Sequence, residues 1–116
     1  MQLMTTYSRG DVVLISFVFT DEAGMKQRPA VIISSDTYHH RRREAIISAI
    51  TSRIDRVLVG DHQISHWQAA GLLFPSVATG IIRTVKQSMI VRRLGAISID
   101  DMNAIDKQLR VALALD

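Results

Sequence analysis

The chain contains no cysteine among its 116 residues. This absence excludes disulfide bonds, thiolate nucleophiles and thiolate metal ligands together. A chain without thiols fits a reducing compartment, and we expect a cytoplasmic location.

Long apolar runs are also missing. No stretch approaches the roughly 20 apolar residues of a membrane-spanning helix, and residues 1–6 lack the charged start and apolar core of a secretory signal. With 47% hydrophobic residues and a formal net charge of +3, the composition is that of a globular protein with a modest basic excess. The length predicts a single domain over residues 1–116.

The chain has two prolines, and Pro29 lies two residues before a β-branched apolar run, Val31 to Ile33. A run that is apolar on both faces is typical of a strand buried on both sides. Because proline donates no ladder hydrogen bond, it fits best as the first residue of a strand. We therefore predict a strand from Pro29 to Ser35 and a flexible loop over residues 20–27. Arg28 then lies where loop and sheet meet, with the N–H donors of its guanidinium available to a phosphate. The alternative is a solvated arginine at the end of a strand.

The remaining pattern consists of short strands separated by turn residues. We predict strands over Asp11 to Phe17, Glu44 to Ser52, Asp61 to Ile64 and Ser76 to Gln87, with a bulge or kink at Gly80. The other segments are predicted to be a polar loop from Asp36 to Arg43, one helical turn from His66 to Ala70 capped by Ser65, and a connector from Ile90 to Gly95.

The C-terminal segment shows helical signals. Ser98 and Asp101 have the spacing of a capping box, and apolar residues follow at intervals of three and four. This pattern predicts a helix from Ile99 to Leu115. The predicted fold is therefore mainly β with a C-terminal α-helix (α+β), a small barrel-like sheet with the helix packed against it.

The histidines do not form a metal-ligand pattern. His39 and His40 are adjacent, so on a strand they would point to opposite faces. His62 and His66 have helical spacing, but Gly60-Asp61 and a cap at Ser65 argue against one continuous helix there. We expect no metal and no cofactor, and no glycine-rich phosphate loop is present. A pair of histidines acting as acid and base on RNA stays an open but unselected alternative.

Cations and hydroxyls instead accumulate at the ends of the predicted strands. Together they suit binding of phosphate and stabilisation of charge on a phosphorane-like transition state without a metal. These residues are Arg28, Thr51, Ser52, Arg53, Arg83, Thr84 and Lys86. The basic run Arg41, Arg42 and Arg43 is either a solvated loop or a phosphate-binding rim. An RNA substrate would supply its own nucleophile, the 2′-hydroxyl.

Several segments, in this order, resemble the MazF/PemK toxin family. The opening strand from Gly10 to Asp21 and the strand Arg28-Pro-Ala-Val resemble the start of that family, and Ala49 to Ser52 resembles its strand with the catalytic threonine. Later segments similar to PemK-like members are Trp67 to Leu72, Pro75-Ser76 and Ile90 to Gly95. The resemblance covers about Gly10 to Leu115. The short loop before Arg28 and the basic segment from Tyr38 to Arg43 depart from the family pattern, which leaves the selected RNA motif open.

The resemblance implies an SH3-like β-barrel and a homodimer that acts as a metal-independent, sequence-selective endoribonuclease on single-stranded RNA, typically mRNA. It implies Arg28 as the catalytic arginine and Thr51 as the threonine that stabilises the transition state. The expected RNA-binding residues are Ser52, Arg53, Arg41, Arg42, Arg43, Arg83 and Lys86. The expected protein partner is a cognate antitoxin with a disordered tail. Two alternatives stay open, a CcdB-like gyrase poison without catalysis and a basic nucleic-acid-binding module.

Overall fold

A computed structural model describes residues 7–18 and 25–116. Its strands are β1 (Asp11–Val18), β2 (Met25–Ile32), β3 (Glu44–Thr51), β4 (His62–Gln63), β5 (Val77–Lys86) and β6 (Ile90–Ala96). Its helices are α1 (Asp36–Arg41) and α2 (Ile99–Leu113), with a short 3₁₀ turn at Gln87–Met89. Neither α1 nor α2 is long and apolar enough to cross a membrane.

The strands form one antiparallel sheet in the order β4-β5-β3-β2-β1-β6. The architecture confirms the expectation of a mainly β fold with a C-terminal helix. Within the described residues β4 and β6 are edges that do not pair with each other, so the sheet is not closed into a complete barrel.

Both faces of the sheet are covered, which explains why β1 is apolar at every position from Val12 to Ile15. Val12 packs in a cluster that includes Ile105 of α2. Val13 and Ile15 belong to a second cluster, which also holds Ile32, Ile47 and Val85. Because successive residues of a strand point to opposite faces, Val12 enters one core, Val13 and Ile15 enter the other, and Leu14 is half-buried on the face of Val12.

Pro29 lies inside β2 rather than at its start, so the predicted strand boundary is wrong. Gly10 donates to the carbonyl of Ile32 at 2.8 Å, whereas Ile33 donates to the carbonyl of Ile46 on the β3 side at 2.9 Å. Backbone direction alternates along a strand, so the nitrogen of Pro29 points toward β3. The β2–β3 pairing begins only at Ala30, and Pro29 therefore breaks no ladder bond. The predicted loop is partly corrected, because residues 25–27 are strand; its residues 20–24 lie outside the described part.

The segment after β2 is helical rather than a loop. Ser35 caps α1, because its hydroxyl accepts a hydrogen bond from the backbone of Tyr38 at 3.1 Å. His39 is buried in this helix; its Nε2 lies 2.5 Å from the hydroxyl of Ser34, and its Nδ1 lies 3.0 Å from the carbonyl of Tyr7. The histidine thus holds α1 against the sheet. A six-residue polar helix carries no apolar period, which is why its sequence did not indicate it.

The predicted connector after residue 89 is also wrong, because Ile90–Ala96 is the edge strand β6. It pairs with β1 through two register shifts, and Val91, Arg92 and Arg93 are exposed. Arg93 donates to the carboxylate of Asp11 at 2.9 Å. Exposure and register shifts remove the alternation that normally identifies a strand.

The predicted bulge at Gly80 is present. Ser48 pairs with Ile82 and Ile50 pairs with Ala78. One residue separates the two positions on β3, whereas three residues, 79–81, separate their partners on β5. The hydroxyl of Thr79 donates to the carbonyl of Ala49 at 2.6 Å, so a side chain supplies a bond that the ladder lacks there. Gly80 donates to the carboxylate of Asp61 at 2.7 Å.

Helix α2 begins with the predicted cap, since the hydroxyl of Ser98 accepts from the backbone of Asp101 at 3.1 Å. It ends at Leu113 and not at Leu115, because Ala114 adopts a left-handed conformation with φ 55°. The predicted helical turn after Ser65 is a series of hydrogen-bonded turns, in which Ala70 donates to the carbonyl of His66 at 3.2 Å.

Asp101 joins this turn segment to α2. Its Oδ1 accepts from Nε2 of His62 at 2.8 Å and from the backbone of Ser65 at 2.9 Å, and its Oδ2 accepts from the backbone of His66 at 2.9 Å. Burial works to raise the pKa of Asp101, but the hydrogen bonds from His62, Ser65, His66 and Ser98 together lower it to about 2. The carboxylate therefore fixes the start of the segment that continues to residues 72–76.

Candidate nucleic-acid interface

Arg28 and Thr51 lie where the pairing of β2 with β3 ends, and the unpaired stretch beyond the last pair forms a gap between the two strands. Ala30 and Ala49 are the last opposed pair at this end of the two strands, and Arg28 and Thr51 each lie two residues beyond it on their own strand. Opposed residues of antiparallel strands share a face, so both side chains lie on one side of the sheet. Because the pairing stops at Ala30, the two side chains flank an opening in the sheet rather than a continuous ladder.

An open groove of about 1020 Å³ runs along this gap. Arg28 and Thr51 line it together with Ser52, and Arg83 and Arg92 add two further guanidinium groups. Among the described residues, no aspartate or glutamate lines the groove. Three arginines in one groove create a positive surface suited to a polyanion.

The hydroxyl of Thr51 is oriented by its neighbour. Its oxygen accepts a hydrogen bond from the backbone N–H of Arg53 at 3.1 Å. Within residues 7–18 and 25–116 it donates to no protein acceptor, so its hydrogen is available to a ligand. Thr51 is half-buried at the end of β3 and is therefore held by the sheet while one side stays accessible.

The guanidinium groups differ in how they are held. Arg28 is exposed and donates from Nη1 to the carbonyl of Gln27 at 3.1 Å. The guanidinium carbon of Arg83 lies 4.9 Å from the ring centre of Phe17. A planar cation stacked on a ring keeps its edge N–H groups available to a phosphate.

One wall of the groove is apolar and was missed from the sequence. It is formed by Leu72, Leu73 and Phe74, of which Leu72 is buried and the other two are exposed. Close packing holds this wall to β6, because a side chain at Gly71 would meet the carbonyl of Leu94 at 2.1 Å. Arg92 was also missed, since its strand was not recognised.

The other residues expected to bind RNA lie elsewhere. Arg53 lines a second groove of about 420 Å³, which shares Thr51 as a wall. Lys86 pairs in register with Glu44, three residues from the Arg83–Ile47 pair, and therefore lies on the opposite face of the sheet.

The basic run at α1 lies at the far end of β3 from Thr51. β3 extends from Glu44 to Thr51, a distance of roughly 23 Å at about 3.3 Å per residue. Arg41 and Arg43 are exposed. Arg42 forms an ion pair with Glu44 at 2.6 Å and stacks over Tyr38 at 5.1 Å. The hydrogen bond and charge of Glu44 raise the pKa of Arg42. The structure thus brings together Arg28, Thr51, Ser52 and Arg83, and leaves Arg41, Arg42, Arg43 and Lys86 outside this groove.

Comparison with known families places this geometry in context. The model of the PemK-like, MazF-like toxins of type II toxin-antitoxin systems matches residues 8–113. The chain belongs to this family. The match spans both strands that flank the gap, the apolar wall and helix α2, and it confirms the resemblance of the sequence motifs.

Solved structures share the same fold. MazF in a MazE–MazF complex from Deinococcus radiodurans has a TM-score of 0.81 at 17% identity, with 97% of this chain and 100% of that chain covered. An endoribonuclease in complex with its cognate antitoxin, from a mycobacterial species, has a TM-score of 0.75 at 20% identity, with coverage of 95% and 97%. The Mycobacterium tuberculosis toxin MazF-mt6 has a TM-score of 0.72 at 21% identity, with coverage of 90% and 98%.

Proposed function

We propose that this toxin is a metal-independent, sequence-selective endoribonuclease that cleaves single-stranded RNA, with mRNA as its cellular substrate. The observation that carries the proposal is that Arg28 and Thr51 line one groove together with two further arginines, Arg83 and Arg92. Family membership supports it, and two structures of the same fold are described as endoribonucleases.

In the proposed reaction, the 2′-oxygen of one nucleotide attacks the adjacent phosphorus while the P–O5′ bond breaks. The 2′-hydroxyl loses its proton and the departing 5′-oxygen gains one, so the products are a 2′,3′-cyclic phosphate and a 5′-hydroxyl. Arg28 donates hydrogen bonds to the non-bridging oxygens, where negative charge develops, and assists proton transfer. Thr51 donates its free hydroxyl hydrogen to the same oxygens. Donors held in place before the reaction lower the barrier because they need not reorganise.

Binding residues surround this pair in the proposal. Arg83 and Ser52 contact phosphates in the groove, and Arg92 extends its positive surface. Arg53 contacts the RNA where the RNA passes Thr51 and enters the second groove, of about 420 Å³. Arg41, Arg42, Arg43 and Lys86 would reach only RNA that continues beyond the groove.

The proposed partners are a cognate antitoxin that covers the groove and a second copy of the chain in a homodimer. Some structures of this fold are complexes of MazF with MazE, and another is a complex with a cognate antitoxin. We place the activity in the cytoplasm, where mRNA is translated.

The test is incubation of the purified protein with mixed single-stranded RNA in EDTA, followed by mapping of both new ends. The proposal expects cuts at a recurring short motif, with a 2′,3′-cyclic phosphate on one side and a 5′-hydroxyl on the other. Replacing the 2′-hydroxyl by hydrogen at a mapped site should abolish that cut alone. Cleavage of the substituted RNA, or 5′-phosphate ends, would contradict the mechanism.

The same assay separates the alternatives. A gyrase poison would be toxic without cutting RNA, and its toxicity would survive Arg28→Ala. A binding module would retain RNA in a salt-dependent manner and leave it intact.

A further inference from the structure

Phe74 is an exposed aromatic residue that the proposed chemistry does not use. It is 63% exposed and forms part of the apolar wall of the groove. Neither core cluster contains it. The apolar surface of a ring that is exposed beside a groove stays in contact with water, and a ligand that covers the ring gains the free energy of burying that surface.

The backbone that carries Phe74 is fixed on both sides. Leu72 and Ser76 are buried. Leu72 donates to the carbonyl of Trp67 at 3.1 Å, and the hydroxyl of Ser76 donates to the carbonyl of Phe74 itself at 2.7 Å. A residue on a fixed backbone loses little conformational entropy when it binds a ligand.

The charge around the ring identifies the ligand class. Arg28, Arg83 and Arg92 line the same groove, and no carboxylate from the described residues lies among them. A ligand that offers both phosphates to these arginines and flat apolar groups to Phe74 is a single-stranded nucleic acid, whose unpaired bases stack on aromatic side chains. An apolar protein segment would fill the wall but would offer no counter-charge to the three arginines.

We propose that Phe74 is a base-stacking residue, which holds one unpaired base of the RNA against the apolar wall while the arginines hold the neighbouring phosphates. This inference rests on the proposed ribonuclease function and adds a substrate-positioning residue to it. A single stacked base would fix the strand along the groove and so place one phosphate between Arg28 and Thr51.

The test compares the parent with Phe74→Ala, Phe74→Leu and Phe74→Trp. The ligand is a single strand of about ten nucleotides, a length within the range that single-strand sites cover, with 2′-O-methyl groups that prevent attack by the 2′-oxygen. Stacking predicts that Ala and Leu each weaken affinity by about tenfold, whereas Trp preserves it. Ile99→Ala, which removes an apolar side chain that is 80% exposed on α2 and is not part of the groove lining, is the matched control and should change affinity little.

Abasic nucleotides introduced one position at a time give the decisive readout. If one base stacks on Phe74, removing that base lowers the RNA affinity of the parent as much as Phe74→Ala lowers the affinity for the intact strand. The Phe74→Ala variant should then bind the strand that is abasic at this position as well as it binds the intact strand. An equal loss for Phe74→Ala at every abasic position, or equal effects of Ile99→Ala and Phe74→Ala, would overturn the proposal. A Phe74→Ala variant that sediments differently from the parent but binds RNA with the same affinity would also overturn the proposal, because Phe74 would then contact a second copy of the chain.

Failure of this proposal is distinguishable from failure of the proposed function. A parent that cuts RNA in EDTA but shows no position-specific loss with Phe74→Ala keeps its ribonuclease function and lacks the stacking site. A parent that cuts nothing but shows the position-specific loss binds RNA through Phe74 without cleaving it.

Discussion

The guanidinium of Arg83 lies over the ring of Phe17, with 4.9 Å between the guanidinium carbon and the ring centre. Register places both residues on the face of the sheet that carries Arg28 and Thr51. The ring therefore holds the Arg83 cation at the groove, where its N–H groups can donate to a phosphate.

This relationship predicts that Arg83→Gln weakens RNA binding through the loss of one phosphate contact. The slope of log affinity against log salt should become shallower by about 0.7, the value for one phosphate of a single strand. Arg83→Lys should restore the slope but only part of the affinity, because an ammonium does not stack as a plane. Lys107→Gln, which removes a charge from α2, is the control. An unchanged slope in Arg83→Gln would exclude the contact.

The buried carboxylate of Asp101 predicts a stability change at low pH. Its pKa is lowered in the folded chain from 3.8 to about 2. The folded state therefore binds the proton less readily than the unfolded state, so the carboxylate stabilises the fold above pH 3.8, and this contribution is lost as the pH falls toward 2. The shift corresponds to about 2 kcal/mol.

Urea unfolding of the parent and of Asp101→Asn measures this contribution. We expect the variant to be less stable by about 2 kcal/mol near neutral pH, with the difference shrinking below pH 4. Asp100→Asn, at an exposed neighbouring position, should stay close to the parent throughout. A constant difference between the parent and Asp101→Asn down to pH 2 would show that the carboxylate charge is not responsible.

The basic run at α1 predicts a dependence on RNA length. Arg41 and Arg43 are exposed but lie at the other end of β3 from Thr51. Neutralising both with glutamine should weaken binding of RNA long enough to leave the groove and should reduce its salt dependence. Binding of a short strand confined to the groove should not change. If the variant loses the same affinity for short and for long RNA, Arg41 and Arg43 act at the groove and this prediction is wrong.

Exposed apolar residues near the C-terminus predict self-association. Val111 is 57% exposed and Leu115 is 58% exposed, and apolar side chains left open near the end of a helix often lie in an interface. We expect a two-fold dimer at micromolar concentration, which Val111→Ser combined with Leu115→Ser should weaken, whereas Asn103→Ser should not. Sedimentation equilibrium is the measurement. A mass near 12.9 kDa for the parent across this range would rule out the dimer.

Much of the fold was predictable because its signals are local. The β-branched runs of β1, β2 and β3 mark buried strands, and the Ser98–Asp101 spacing marks the start of α2. The misses are elements without a local pattern. Helix α1 is short and polar, and β6 is an exposed edge strand in which Arg92 and Arg93 replace the expected alternation.

The candidate site was predictable only in part, because it depends on register. The residue types of Arg28 and Thr51 pointed to phosphate chemistry, but only the pairing of Ala30 with Ala49 places them on the same face at the same end of the two strands. The separation of Lys86 from Arg83 was open to detection, since an odd spacing on one strand puts two residues on opposite faces. The position of Phe74 in the groove could not be predicted from the sequence. Its loop is held beside the groove by the close contact of Gly71 with Leu94, and the sequence of the loop does not indicate that contact.

The central claim is that Arg28 acts on the scissile phosphate opposite Thr51. Its most direct test is the single-turnover cleavage rate of Arg28→Ala at saturating RNA in EDTA, with circular dichroism and thermal unfolding to establish that the variant is folded. Loss of one preorganised donor predicts a rate lower by about 100-fold or more. A folded Arg28→Ala variant that cuts RNA at the parent rate would contradict the account.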